Sequence, residues 1–292
     1  MLRGPRIAML VALTACGRLG FDSELPPQEP CDWIDELTLQ SPAPIDELNT
    51  DASESAPFVT ADGDTLYYSS DTGGVTDFFI ADSYGPELFA DARRFDRLSQ
   101  QNASDTSLSF AADHREVIFT SDRAGGSFDL FRGQRPAVAA PFIDMQALGA
   151  LNSAGDELTP HLSESDRALY FARRTEPEGA DLYVARRADL EANFEAAVRI
   201  DELSSEADDL APALTDDGLV IVFASSRAGR LDLYYATRAT TDDPFGQPVP
   251  LHDLNTSAVE TDPCVTRDGC FIYFASDRHG EQLDLFVARV FR

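Results

Sequence analysis

Lysine is absent from this 292-residue chain, so all 23 basic side chains are arginine. That removes Schiff-base and lysine-nucleophile chemistry and leaves cations that act as rigid planar forks. Positive charge is scarce as well. Acidic residues number 51, the net charge is -28, and so large an excess argues against nucleic acid or a bare anionic lipid surface as partner. A charged partner should be basic, or a metal cation. No apolar run reaches membrane-spanning length. Of familiar catalytic signatures there is no Gly-x-Ser-x-Gly, no His-Glu-x-x-His, no phosphate-binding glycine loop and no EF-hand loop. The four histidines, His114, His161, His252 and His279, lie far apart and no Cys-x-x-Cys pair exists, which leaves little for zinc.

What is present begins with the first sixteen residues. Arg3 and Arg6 form a short positive region, Ile7 to Thr14 an apolar stretch, and Leu13-Thr14-Ala15-Cys16 follows, with Gly17 behind it. The arrangement resembles the bacterial lipoprotein signal. The resemblance implies that residues 1-15 are removed, that Cys16 is the lipidated N-terminus and that residues 16-32 form a linker. It also implies an exported protein anchored in the cell envelope, on the periplasmic side of the outer membrane. Cys31, Cys264 and Cys270 then remain in a disulfide-permitting compartment, as one bridge and one free thiol.

Residues 33-292 are a repeat. Aspartates 77, 129, 181, 232 and 284 each precede a short apolar run, at spacings of 52, 52, 51 and 52. A second apolar run lies about eleven residues earlier in each unit, for example Leu66-Tyr67-Tyr68 and Ile272-Tyr273-Phe274, rich in the aromatic and β-branched residues of strands. Before it stands a turn, Asp62-Gly63, Asp217-Gly218 or Asp268-Gly269, read as a two-residue hairpin loop, with Asp113-His114 and Ser165-Asp166 in the same slot. A further strand precedes the turn. A fourth is marked by an aromatic residue nine positions before a leucine, as in Phe89 and Leu98. Four antiparallel strands per unit is the content of a propeller blade. The chain stops after the third strand of the fifth unit, while Leu39 and Leu48 repeat the nine-residue spacing near the start, so residues 39-49 are expected to complete the last blade and close the ring.

The pattern Pro-x-φ-Thr-x-Asp-Gly, then φ-φ-Phe-x-Ser-x-Arg-x-Gly and Asp-Leu-Tyr-x-Ala, best formed over Pro212 to Ala236 and Pro263 to Ala288, resembles the TolB-type, WD-like propeller repeat. The resemblance implies an all-β β-propeller, and the five units counted over residues 33-292 make it five-bladed; TolB-like proteins typically have six blades, so six with one degenerate blade is the alternative. It says little about function, because propellers host unrelated activities.

Glu54, Asp105, Glu157, Asp209 and Glu260 recur before the proline slot and form a candidate binding ring at one mouth of the central channel. Arg123, Arg174, Arg227 and Arg278 fill a recurring arginine slot that could neutralise them, with Thr72 in its place in blade one. His161 occupies an inner-strand position and reads as a packing variant. Asp208-Asp209, Asp216-Asp217 and Asp242-Asp243 read as solvated turn acids, with calcium the one cofactor they could hold. Cys31 is expected to be tied to blade five through Cys270 or Cys264; Cys270 is favoured, because its equivalents Asp64, Arg115 and Arg167 suggest a surface-facing slot while Cys264 faces Tyr273. The expected role is a monomeric, non-catalytic envelope scaffold binding a protein, peptide or cell-wall component. The rival is a carbohydrate-active enzyme using channel-mouth carboxylates. Against the rival, the ring positions are equivalent, whereas an acid and a base must differ in environment.

Overall fold

A computed structural model describes residues 31, 33, 37–163, 165–175, 177 and 179–291. Cys16 and the signal segment lie outside the described residues. Five four-stranded antiparallel sheets, with no helix among the described residues, make a five-bladed β-propeller. The inner strands are Glu54–Val59, Asp105–Phe110, Asp156–Leu162, Asp209–Leu214 and Glu260–Val265. Each touches the inner strands of both neighbouring blades, so they form a closed circuit around one axis. No sixth blade is present among the described residues.

Blade five is completed by the N-terminal segment, as the nine-residue spacing predicts. Thr38–Leu39 and Ala43–Pro44 both pair antiparallel with the last strand, Asp284–Phe291. Ile45 and Leu48, just beyond, are fully buried against Leu66, Phe89 and Leu285, where blades one and five meet. The remaining apolar clusters likewise bridge adjacent blades. Phe78 and Phe119 join blades one and two, Leu130 and Phe171 blades two and three, Tyr170 and Phe223 blades three and four, and Val222 and Phe274 blades four and five. Alternation explains this. Successive side chains of a strand point to opposite faces of its sheet, so each blade packs on both neighbours and contributes about 1.5–3 kcal/mol per large apolar side chain buried.

The hairpins between first and second strands differ from the two-residue loops expected. In blade one the Thr60 amide donates to the Thr65 carbonyl at 2.9 Å, enclosing four residues, and Gly63 takes φ +72. The Thr60 hydroxyl reaches Asp62, whose carboxylate also accepts the Asp64 amide. Thr215-Asp217 and Thr266-Asp268 repeat this. A four-residue turn wins because the threonine and aspartate side chains satisfy the loop's own amides.

Each inner strand also carries a bulge that no sequence feature announced. Ala56, Ser107, Thr159, Ala211 and Asp262 sit at equivalent positions with φ between 40 and 53. The register with the second strand slips at the same place in all five blades. Left-handed backbone costs a non-glycine residue about 1–2 kcal/mol. Part of it is recovered between blades, where the Ala211 amide donates to the Thr159 hydroxyl at 3.0 Å and the Ala56 amide bonds the Asp262 carboxylate. One step along, the Leu162, Leu214 and Val59 amides donate to Ser109 Oγ, His161 Nε2 and Cys264 Sγ of the preceding blade. His161 is therefore neutral at that nitrogen, and burial pushes its pKa down to about 4.

Candidate functional site: a cleft on the turn face

The five acidic residues of the expected binding ring stand at or next to the first residue of each inner strand, at the end of the barrel opposite the turns. All five are fully buried. Glu54, Glu157 and Glu260 each accept a backbone amide and a hydroxyl from the residue four positions earlier, Thr50, Ser153 and Thr256, and Asp209 takes the same two bonds from Ser205. Asp105 accepts the Gln100 amide. These carboxylates are spent inside the fold, so the ring offers no surface to a ligand.

Arginines neutralise four of the five. Arg123, Arg227 and Arg278 bond Asp105, Asp209 and Glu260 at 2.5, 2.6 and 3.0 Å, and each also donates to a leucine carbonyl, of Leu98, Leu203 and Leu254. Every one lies over a pair of aromatic rings, as Arg227 does over Phe223 and Tyr234. In blade three the expectation of Arg174 is corrected. Arg173 stands directly opposite Glu157 in the ladder, where the other blades have serine, and it makes both the carboxylate contact and the bond to Leu151. Arg174 turns away towards Asp208. Blade one has no such arginine, and Glu54 rests on Thr50 and Ser70 alone, with burial raising its pKa.

A second arginine recurs on the opposite face. Arg135, Arg187 and Arg238, 52 and 51 residues apart, follow the recurring aspartates 129, 181 and 232 by six positions, a periodicity visible in the sequence itself. Each donates through Nε to the carbonyl at the crest of its own blade's turn, His114, Asp166 and Gly218, at 2.6–2.7 Å. Each also stacks on the phenylalanine seven residues later, Phe142, Phe194 or Phe245, within 4.7 Å. Blade five does this differently. Val290 holds the arginine position, and Trp33 donates its indole N–H to the Gly269 carbonyl at 2.9 Å. The Cys31–Cys270 disulfide pins the segment that brings Trp33 there, leaving Cys264 buried and free.

Between blades four, five and one this face opens into a cleft of about 1200 Å³. Trp33, Phe271, Tyr273 and the exposed Tyr84 supply its aromatic walls, and Asp62, Asp64, Asp217 and Asp268 its charge, while Asp216 pairs with Arg267. The axial channel is much narrower, about 40 Å³, and is lined by the bulge residues with His161, Asp262 and Cys264. Two carboxyls are pushed up to about 6, chiefly by burial, and both lie outside the cleft. Asp166 stands in the turn of blade three and accepts the Ala112 amide; Asp262 faces the channel. Among the described residues no group of three or more metal-ligating side chains converges.

No protein-family model matches this chain, and no curated protein matches it in sequence. Solved structures do. TolB from Acinetobacter baumannii superposes with a TM-score of 0.56 at 16% identity, covering 83% of this chain, which spans 55% of that protein's length. The endo-arabinase from Bacteroides thetaiotaomicron gives 0.58 at 14% identity, over 88% of this chain and 98% of its own. The GH62 α-L-arabinofuranosidase catalytic domain of Coprinopsis cinerea gives 0.58 at 11%, over 85% and 95%. The likeness is one of fold. TolB and arabinan-type glycosidases share this architecture, so it assigns no function to this chain and any reading rests on the site.

Proposed function

We propose that the chain is a non-catalytic binding module of the cell envelope, held there through Cys16, which takes a protein or peptide ligand into the turn-face cleft. One observation carries the reading. The cleft is wide, aromatic-walled and acidic, yet Asp62, Asp217 and Asp268 are committed to their own turns and Asp216 to Arg267. A site of that kind offers contact area and negative potential to a basic ligand rather than an acid and a base tuned apart. The resemblance of the first sixteen residues to a lipoprotein signal and the fold likeness to TolB support an envelope location.

The glycosidase reading keeps one specific support, the Asp262 carboxyl near pKa 6 at the channel beside a fold shared with arabinose-releasing enzymes. Two measurements separate the readings. The immobilised full chain should capture a partner from envelope extract, and capture should fail with Asp64→Arg combined with Tyr84→Ala but survive Asp144→Arg on the exposed outer strand of blade two. Arabinan incubated with the chain should release no sugar. Release that disappears in Asp262→Asn would establish the enzyme instead.

A further inference from the structure

Pseudo-symmetry points to a particular chemistry within the cleft. In blades two, three and four the carbonyl at the crest of the turn is capped by an arginine, and in blade five by the Trp33 indole. Blade one has the same carbonyl, on Gly63, and the same strand position, Ser83, whose amide bonds the Asp64 carbonyl just as the Arg135 amide bonds the Arg115 carbonyl. Ser83 is too short to reach the crest, and among the described residues nothing donates to the Gly63 carbonyl. The space is open too. A methyl group built on Gly218 would meet Arg238 at 3.4 Å and one on Gly269 would meet Trp33 at 3.0 Å, whereas one on Gly63 meets nothing within 4 Å.

The surroundings complete a guanidinium site. In blades three and four the arginine reaches back to the blade before it: Arg187 bonds Glu116, and Arg238 approaches the Tyr170 hydroxyl at 3.3 Å. The residue equivalent to Tyr170 behind blade one is Tyr273, a wall of the cleft. Asp62 and Asp64 flank the open carbonyl, both exposed. A planar fork with five N–H donors matches a carbonyl and carboxylates set at an angle to one another, whereas an ammonium, with its point charge, does not.

We infer that the uncapped crest of blade one is a binding site for an arginine side chain of the partner, which supplies from outside the cap that the other four blades carry within. The inference rests on the cleft being the binding surface and adds what the cleft recognises.

The test titrates the full chain with acetyl-Gly-Arg-Gly-amide, its lysine counterpart and its citrulline counterpart, following the Gly63 and Ser83 amide resonances. The arginine peptide should shift both and bind at least about tenfold more tightly than the other two. Ser83→Arg, which restores the repeat, should raise the melting temperature and abolish those shifts. Asp64→Asn, an exposed change that leaves the turn intact, should weaken binding several-fold and serves if Ser83→Arg does not fold. Equal affinities for the arginine and lysine peptides, both mapped to the cleft, would overturn the arginine site and leave the cleft reading standing. A folded Ser83→Arg with undiminished peptide affinity would overturn it as well. Shifts that appear only after Arg18→Ala would assign the slot to the chain's own N-terminal segment, against a partner's arginine. Loss of envelope capture in the cleft variant, measured separately, reports on the cleft reading alone.

Discussion

Asp262 holds the left-handed position of the fifth inner strand, where the other blades have alanine, serine or threonine. Burial lifts its pKa to about 6 from an ordinary 3.8, against the Ala56 amide and the Thr261 hydroxyl, which favour the ion. A carboxyl raised on folding stabilises the protein below its unfolded value and loses that contribution as pH climbs to the folded one. Asp262→Asn should therefore stabilise the protein by about 3 kcal/mol at pH 7, from a shift of about two units at 1.36 kcal/mol each, and by nearly nothing at pH 3.5. Asp166 titrates over the same range, but it is common to both proteins and cancels in the difference between their urea midpoints. A difference that ignores pH would refute the assignment. Glu54 offers the converse experiment, since it is the buried ring acid with no arginine. Thr72→Arg recreates the Arg123 arrangement, with Ser70 in place of Ser121. A charge-assisted bond made to a carboxylate already buried is worth about 1–2 kcal/mol, or roughly 3–6 °C in a domain of this size. Calorimetry at pH 7 reads it directly, and an unchanged or lower melting temperature would show that the added guanidinium has no room.

At the scale of the element, the segment from Thr38 to Asn49 does more than its two short strands suggest. The Asn49 side chain bonds both the amide and the carbonyl of Leu285, as Asn152 does with Leu130 and Asn255 with Leu233. Deleting the chain through Asn49 removes these bonds, empties the pocket of Ile45 and Leu48 and bares the edge of Asp284–Phe291. Such an edge recruits other chains. The truncated protein should aggregate or lose most of its stability, whereas deletion of residues 17-30 alone should leave the urea midpoint nearly unchanged. Matching midpoints for the two truncations would contradict closure by strand exchange. The second element-scale lesson is the Arg173 substitution for Arg174. The spacing of the repeat put the charge within one residue of its place, but a guanidinium can reach Glu157 from the serine slot or from two residues beyond it, and only the strand register decides which.

At the scale of the molecule, the fold is a ring fastened by a disulfide. The Cys31–Cys270 bridge spans 239 residues, and a loop of that size restrains the unfolded chain by on the order of 5–6 kcal/mol in the chain-entropy model, an upper value. Cys31→Ser should lower the unfolding midpoint and free the Trp33 indole from Gly269, which its fluorescence would report; an unchanged emission would mean that strand pairing alone seats Trp33. Attachment is a separate matter. Cys16→Ser should move the protein from the membrane to the soluble fraction, and continued membrane retention would sink the lipid anchor.

The sequence by itself determined the number of blades, the strand order and the closure. Each follows from spacing, and spacing survives projection onto one dimension: 52 residues are one blade wherever the blade sits, and a strand missing at one end must be made up at the other. The tertiary structure alone decided which charges are available. Glu54 and Asp64 look alike as letters in an acidic repeat, yet one is sealed beneath hydroxyls and amides and the other stands open beside the cleft. Burial depends on what neighbouring blades bring, and those neighbours lie some fifty residues away along the chain, or more than two hundred where blade five meets blade one. The left-handed bulges were hidden for the same reason. Alanine, serine, threonine and aspartate share no preference for positive φ, and only five inner strands crowding one axis force them into it.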